Sequence, residues 1–339
     1  MTKSDTRQLK GLAILMMLWL HLFSNEETVQ QLDYWLRYVN GQPLVYSLTR
    51  IASACVPIYI FLGGYGLAAT WKSDSRLQGG RRALALMANF WLVFLVFVPL
   101  GCWVNPERYP GDGLTLLLNA TAVSYSYNGA WWFLLPYVLT TLSAEYLIRH
   151  SMAGSKRQNA AWACGLGLLY IAVYLLTTFV HITDVWPFPG VLTLLNFLSI
   201  LFLFGMGVLA VKYGWIRRLT SRLACRPQWE IAGWLLLLCL LKMLAGASSL
   251  LGVPFILLFI PLLLVLRWPQ WLHGTLAFLG RHSTNIWLIH YFYYYIWGNQ
   301  IYALRYPIVI FLCLVVASLA CSMVLRPIFK PLRKRIRGL

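Results

Sequence analysis

Apolar residues come in runs along this chain, each close to the thickness of a bilayer, and polar residues collect in the gaps. The runs fall at 5-24, 43-71, 82-103, 130-149, 159-180, 189-212, 229-247, 251-266, 275-297 and 304-325. A helix rising about 1.5 Å per residue needs about 20 residues to cross the hydrocarbon core, and only helices or closed barrels satisfy their backbone there. The pattern therefore predicts an all-α fold, a polytopic transmembrane helical bundle of about ten spans. It forms a single integral-membrane domain over 1-339, with 326-339 a basic cytoplasmic tail. The first apolar run, LKGLAILMMLWLHLF, is short by itself. A helix beginning at a Ser4-Asp5 cap gives it spanning length and leaves Lys10 just inside the membrane edge, able to snorkel to water. No small-residue cleavage site follows the run, so it is expected to stay on the protein.

Composition agrees. With 60% hydrophobic and 11% charged residues and a mean hydropathy of +0.66, no soluble domain of this length hides so much apolar surface. A net charge of +18 points toward nucleic acid until its distribution is read. Cations sit in the short loops on one side: Lys3 and Arg7, then Lys72, Arg76, Arg81 and Arg82, then Arg149, Lys156 and Arg157, then Lys212, Arg217, Arg218, Arg222 and Arg226, and finally the tail. The alternate loops hold Glu26, Glu27, Asp33, Glu107, Asp112 and Asp184. This is the positive-inside pattern; it puts both termini in the cytoplasm and leaves no call for nucleic acid. The 16 Trp and 19 Tyr suit interfacial belts and sugar-binding clefts alike. The seven cysteines, mostly within apolar runs and with no CxxC spacing, read as small core residues and support neither a disulfide framework nor a metal. The outer segment 104-129 carries an apolar patch too short to span, as a re-entrant or interfacial helix would. The Asn119-Ala120-Thr121 sequon within it carries no weight.

Ionisable residues inside spans are costly and mark candidate chemistry. His21 follows Lys10 by 11 positions on the first span. At about 100° and 1.5 Å per residue, the two side chains share one helix face about 16 Å apart. His290, in the ninth span, is expected at a similar outer-half depth, on a helix running the same way as the first. A lone buried histidine is as often a packing residue as a functional one; two at one depth favour function. Arg50, early in the second span, is either an interfacial arginine or a cation that stabilises developing negative charge. Lys242 is similar but less well placed. Gly63-Gly64-Tyr65-Gly66 reads as close helix packing or a narrow passage. Glu145 and Arg149, at i,i+4, read as a structural ion pair. The run Tyr291 to Tyr295 with Trp297 reads as an aromatic belt, or less readily as a sugar-stacking rim. The loop with Lys72, Arg76, Arg81 and Arg82 suits an orientation signal, anionic lipid, or the phosphates of a coenzyme A thioester.

Four stretches together resemble the acyltransferase-3 family of integral-membrane acyltransferases. The opening from Lys10-Gly11-Leu12-Ala13 to His21 is similar to the family's first-helix motif, Arg or Lys, ten residues, then His. VPIYIFLGGYGLA at 56 to 68 resembles its second-helix block, with Gly63 where Ser is usual. AWWFLLPYVL at 130 to 139 resembles the block opening on His-Leu-Trp, with Ala130 in place of that histidine. LGRHSTNIWLIHYF at 279 to 292 resembles the late block, with Ser283 and His290 matching.

The resemblance implies O-acyl transfer, with acetyl-CoA or another acyl-CoA as donor substrate and no metal, in the inner membrane of a bacterium. The acceptor implied is a hydroxyl of a surface glycan or lipid-linked sugar. His21 is then the candidate general base, with Arg50, His290 and Ser283 beside it as catalytic candidates. Lys10 would hold the donor's carbonyl or a phosphate, and Lys72, Arg76, Arg81, Arg82, Tyr65 and Trp132 are the other donor-binding candidates. Direct transfer and an acyl-histidine relay both remain open, as does an oligomer. The rival class is a transporter or flippase of lipid-linked sugar, against which no repeat halves are visible. A family member retained as a structural or sensory partner is a third option, and the intact Lys10 and His21 count against it.

Overall fold

The computed structural model describes residues 1–32, 38–39, 41–246 and 249–338. Asp33, counted above among the outer acids, lies outside the described residues. The longer helices are α1 (Lys3–Phe23), α2 (Cys55–Asp74), α3 (Gly79–Val104), α4 (Gly113–Ala120), α5 (Leu134–Ala153), α6 (Lys156–Thr178), α7 (Pro189–Tyr213), α8 (Trp215–Leu223), α9 (Gln228–Leu244), α10 (Gly252–Val265), α11 (Gln270–Tyr302) and α12 (Pro307–Gly338). The β-structure described is a two-residue antiparallel ladder pairing Tyr38 with Pro43 and Val39 with Gln42. Five helical stretches are long and apolar enough to cross a membrane: Leu44–Asp74, Gly79–Val104, Lys156–Thr178, Pro189–Tyr213 and Pro307–Ile336. The protein is an all-α membrane protein, and each apolar run of the sequence lies mainly on helix among the described residues.

Boundaries moved where local hydrogen bonding outweighed hydropathy. The cap of α1 is Thr2, whose hydroxyl accepts from the Asp5 amide at 3.1 Å while the Asp5 carboxylate accepts from the Thr2 amide at 2.7 Å. This reciprocal capping box starts the helix ahead of the Ser4-Asp5 cap the sequence predicts. The run at 43-71 opens as two short turns, Leu44–Ser47 and Thr49–Ala52, before α2. There the Thr49 hydroxyl donates to the Tyr46 carbonyl and the Ser53 hydroxyl to the Arg50 carbonyl, which competes with a regular ladder. The expected basic tail continues α12 through Pro327 and Pro331.

The chain divides into two compact units. The first joins Met1–Tyr59 to Gly214–Val324, so the N-terminal helix packs among the late ones. Its most extensive helix pairing is α1 with α11. Leu9, Ala13 and Met17, with Ile14, Leu18 and Leu22, recur at i,i+4 on α1 and are all buried. The backbones touch at glycines. A Cβ on Gly11 would lie 1.9 Å from the Leu276 carbonyl oxygen, and one on Gly280 would lie 1.9 Å from the Arg7 oxygen and 3.1 Å from the Gly11 amide. Small residues are what allow such an approach in membrane helices. From this crossing both helices run in parallel, and ten residues beyond each glycine His21 and His290 stand level, about 15 Å further on.

The second unit, Ile60–Tyr213 with Leu325–Leu339, packs α7 against α5 and α6, and α3 against α5. Gly64 and Gly207 do there what Gly11 and Gly280 do in the first unit: their Cβ positions fall 2.1 Å from the Phe204 oxygen and 2.4 Å from the Phe61 oxygen. α2 is unbroken across the glycines, so they serve close packing, and Gly63 leaves room for the Tyr137 ring. In the segment 104-129, Asp112 caps α4, and its bonds to the Thr115 hydroxyl and amide hold its carboxyl below the usual carboxylate range. Leu114 and Leu117 of α4 are exposed, as expected of an interfacial helix. Asn119 is fully buried, donating to the Thr115 carbonyl and Ser126 hydroxyl and accepting from the Tyr127 amide, so the sequon is closed to a glycan.

Gly280→Ala should separate α1 from α11 and destabilise the protein by about 1–3 kcal/mol or more, read as a lower thermal midpoint in detergent. Gly233→Ala is the matched control. It has open space around its Cβ position within α9 and should be neutral or stabilising by up to about 1 kcal/mol.

Candidate active site

The C-terminal parts of α1 and α11 bring two histidines and a tyrosine together. The His21 and His290 rings stack with centroids 5.1 Å apart and 30° between planes. Tyr291 stands edge-on to His21 at 4.7 Å, and its hydroxyl lies 3.0 Å from His21 Nδ1. His290 is fully buried. Its Nδ1 faces the carbonyls of Trp287 at 2.9 Å and Ile286 at 3.1 Å, which only accept, so Nδ1 carries the hydrogen and Nε2 the lone pair. That buried Nε2 has no hydrogen-bond partner among the described residues. The tautomer of the second histidine is thus set by its own helix, while that of the first depends on Tyr291.

Around this centre the helices are fastened to one another. Tyr302 of α11 donates to the Leu22 carbonyl at 2.6 Å, one residue beyond His21. Trp19 packs edge-on to Phe23 and to Phe311 of α12 and donates from Nε1 to the Val45 carbonyl at 3.2 Å. At the other end of the α1 face, the half-buried Lys10 has its carbonyl tied to the Tyr59 hydroxyl at 3.0 Å. Ser283 donates to the Gly280 carbonyl at 3.1 Å, is buried, and also engages the Tyr59 hydroxyl. Arg50 is half-buried; it donates from one Nη to the Met243 carbonyl at 2.9 Å, in the last turn of α9, and from the other to Gln42. Gln42 in turn donates to Glu26 at 3.1 Å. Lys242 is buried and donates to the Gly246 carbonyl at 3.1 Å.

The other donor-binding candidates belong to the second unit. Lys72 and Arg76 are exposed and Arg81 and Arg82 half-buried, with Arg82 Nε donating to the Leu77 carbonyl at 2.7 Å. Tyr65 stacks on Phe61 at 6.4 Å, and Trp132 sits edge-on to Phe133 at 5.6 Å. The expected Glu145–Arg149 ion pair is absent among the described residues. Arg149 lies over the Trp71 ring instead, 5.9 Å from its centroid, an aromatic contact that suits a guanidinium at an exposed helix end.

Sequence reasoning missed two partners. Tyr291 falls in the run that reads as an aromatic belt, and its bond to His21 has no sequence signal, since the two lie 270 positions apart. His282 is buried with its Nδ1 2.9 Å from the Ser322 hydroxyl on α12. Its neighbour Phe278, one turn back on α11, shows only a helical repeat that any core residue would share.

A family model described as an acyltransferase domain matches residues 7–326. No curated protein and no solved structure matches the chain. The match spans nearly the whole chain, including both helices of the histidine pair, and the protein belongs to the acyltransferase-3 family. It is a membrane acyltransferase.

Arg50→Gln removes the donors to Met243 and shortens the reach to Gln42. Bonds from a charged donor of this kind are worth about 1.5–3 kcal/mol each, so denaturant unfolding in micelles should show a loss of about that size.

Proposed function

We propose that the protein is an O-acetyltransferase that takes acetyl from cytosolic acetyl-CoA and delivers it to a hydroxyl of a surface glycan or lipid-linked sugar. The observation that carries this reading is the pairing of His21, 11 positions after Lys10, with His290 and Tyr291. In the proposed step a His21 nitrogen takes the proton of the acceptor hydroxyl as its oxygen attacks the thioester carbonyl. The C–S bond then breaks, and the coenzyme A thiolate leaves with the proton returned from His21. His290, with its lone pair on a buried Nε2, is proposed to accept a hydrogen bond from a second hydroxyl of the acceptor sugar. Lys10 is proposed to meet the donor's carbonyl or a phosphate from the cytoplasmic half. Arg50 is proposed to favour the developing negative charge from its fixed position, and Ser283 to line the path with Tyr59.

Lys72, Arg76, Arg81 and Arg82 keep their proposed role toward the coenzyme A phosphates on the strength of charge, and Tyr65 and Trp132 toward the donor on the strength of the family resemblance. The loop charges support about ten spans with both termini cytoplasmic, in a bacterial inner membrane. That orientation puts Lys10 where acetyl-CoA is made and His21 toward the side from which an exported glycan is reached.

The test is transfer of label from [14C]acetyl-CoA to an envelope glycan extract by purified protein in lipid nanodiscs. His21→Ala should lower the rate by about 10²- to 10⁴-fold. Lys10→Ala should mainly raise the KM for acetyl-CoA, and Lys10→Arg should restore it. Wild-type turnover in His21→Ala is the outcome that sinks the mechanism.

A further inference from the structure

Tyr291 follows His290 in sequence, yet its hydroxyl serves the other histidine. Its ring is edge-on to His290 at 5.1 Å as well as to His21, and its remaining sides meet Tyr294 at 5.8 Å and Tyr295 at 5.2 Å. Tyr294 is backed at 6.0 Å by Tyr302, which is bonded to the Leu22 carbonyl of α1. A ring held on so many sides has its hydroxyl directed by packing. The two histidines are alike in that the protein engages Nδ1 of each.

A neutral imidazole has one N–H and one lone pair, and the bond made by one nitrogen decides which the other carries. The carbonyls facing His290 make that choice unaided. A hydroxyl facing His21 makes it by either accepting or donating. We propose that Tyr291 is a positioning residue of His21, its hydroxyl oxygen accepting the Nδ1 hydrogen so that the lone pair is on Nε2. The inference rests on the acyl-transfer reading for its purpose, though not for its geometry. With Tyr291 accepting, Nε2 takes the acceptor's proton, and Nδ1 stays bonded through the imidazolium that forms. The proton then returns from Nε2 to the departing thiolate, and Tyr291 is neutral throughout. With Tyr291 donating, Nε2 would already carry a hydrogen and His21 would have no lone pair to offer on that side.

The experiment uses the full chain in lipid nanodiscs, labelled with 15N-histidine, with the His21 signals assigned by their loss in His21→Gln. The inference expects Nδ1 protonated and Nε2 bare in the wild type, and a mixture of tautomers in Tyr291→Phe. In parallel, with [14C]acetyl-CoA and envelope glycan extract, Tyr291→Phe should lose about 10- to 100-fold in kcat with little change in the KM for acetyl-CoA. Replacing Tyr291 with 3-fluorotyrosine keeps the shape and alters only the acidity of the hydroxyl. It should shift the Nδ1 resonance and the rate together, which a packing role would not, and it serves even if Tyr291→Phe folds poorly. A protonated Nε2 in the wild type overturns the inference. So does a Tyr291→Phe protein with unchanged tautomer and kcat while His21→Gln is inactive. The expected tautomers in a wild type that transfers no acetyl would instead reject the acyl-transfer reading and leave the role of Tyr291 standing.

Discussion

The close crossing of α1 and α11 is the constraint on which the rest of the first unit depends. At Gly11 and Gly280 each backbone sits against the other's carbonyls, with no room for a methyl group. In a bilayer, burying apolar side chains brings no gain over lipid, so close van der Waals contact of this kind supplies much of the helix association. It also fixes register. Two parallel helices joined at one point stay level along their length, and equal steps of ten residues place His21 beside His290. Slipping one helix by a turn would displace one ring past the other by about 5 Å.

What the crossing assembles is a site whose polar groups are mostly committed before any substrate arrives. His290 Nδ1 is held by its own helix, His21 Nδ1 by Tyr291, the Lys10 carbonyl by Tyr59 and the Arg50 guanidinium by Met243 and Gln42. Such commitments reduce the reorganisation a reaction must meet, which is where much of an enzyme's electrostatic advantage arises. The buried His290 Nε2 stands apart from these, a lone pair with no partner among the described residues at the level of His21.

The second unit uses the same device for a different end. Gly64 and Gly207 lock α2 to α7, and the segment 104-129 is bound up by Asn119 and the tyrosines at 109 and 127, whose hydroxyl-to-carbonyl bond at 2.7 Å is buried. Among its cations, Lys72 and Arg76 are exposed and Arg81 and Arg82 half-exposed.

The membrane-spanning class, the positions of the helices and the candidacy of Lys10 and His21 were legible in the sequence. Each follows from a cost that any arrangement must meet: unsatisfied backbone in lipid, charge in the wrong loop, or an ionisable group at depth. Capping at Thr2, the broken entry to α2 and the contact of Arg149 with Trp71 were not legible, because each is a choice among local partners of similar energy. The partnership of His21 with Tyr291 and His290 was decided by tertiary structure alone. A helical repeat says which face a residue is on, and only the meeting of two backbones at Gly11 and Gly280 says what that face meets.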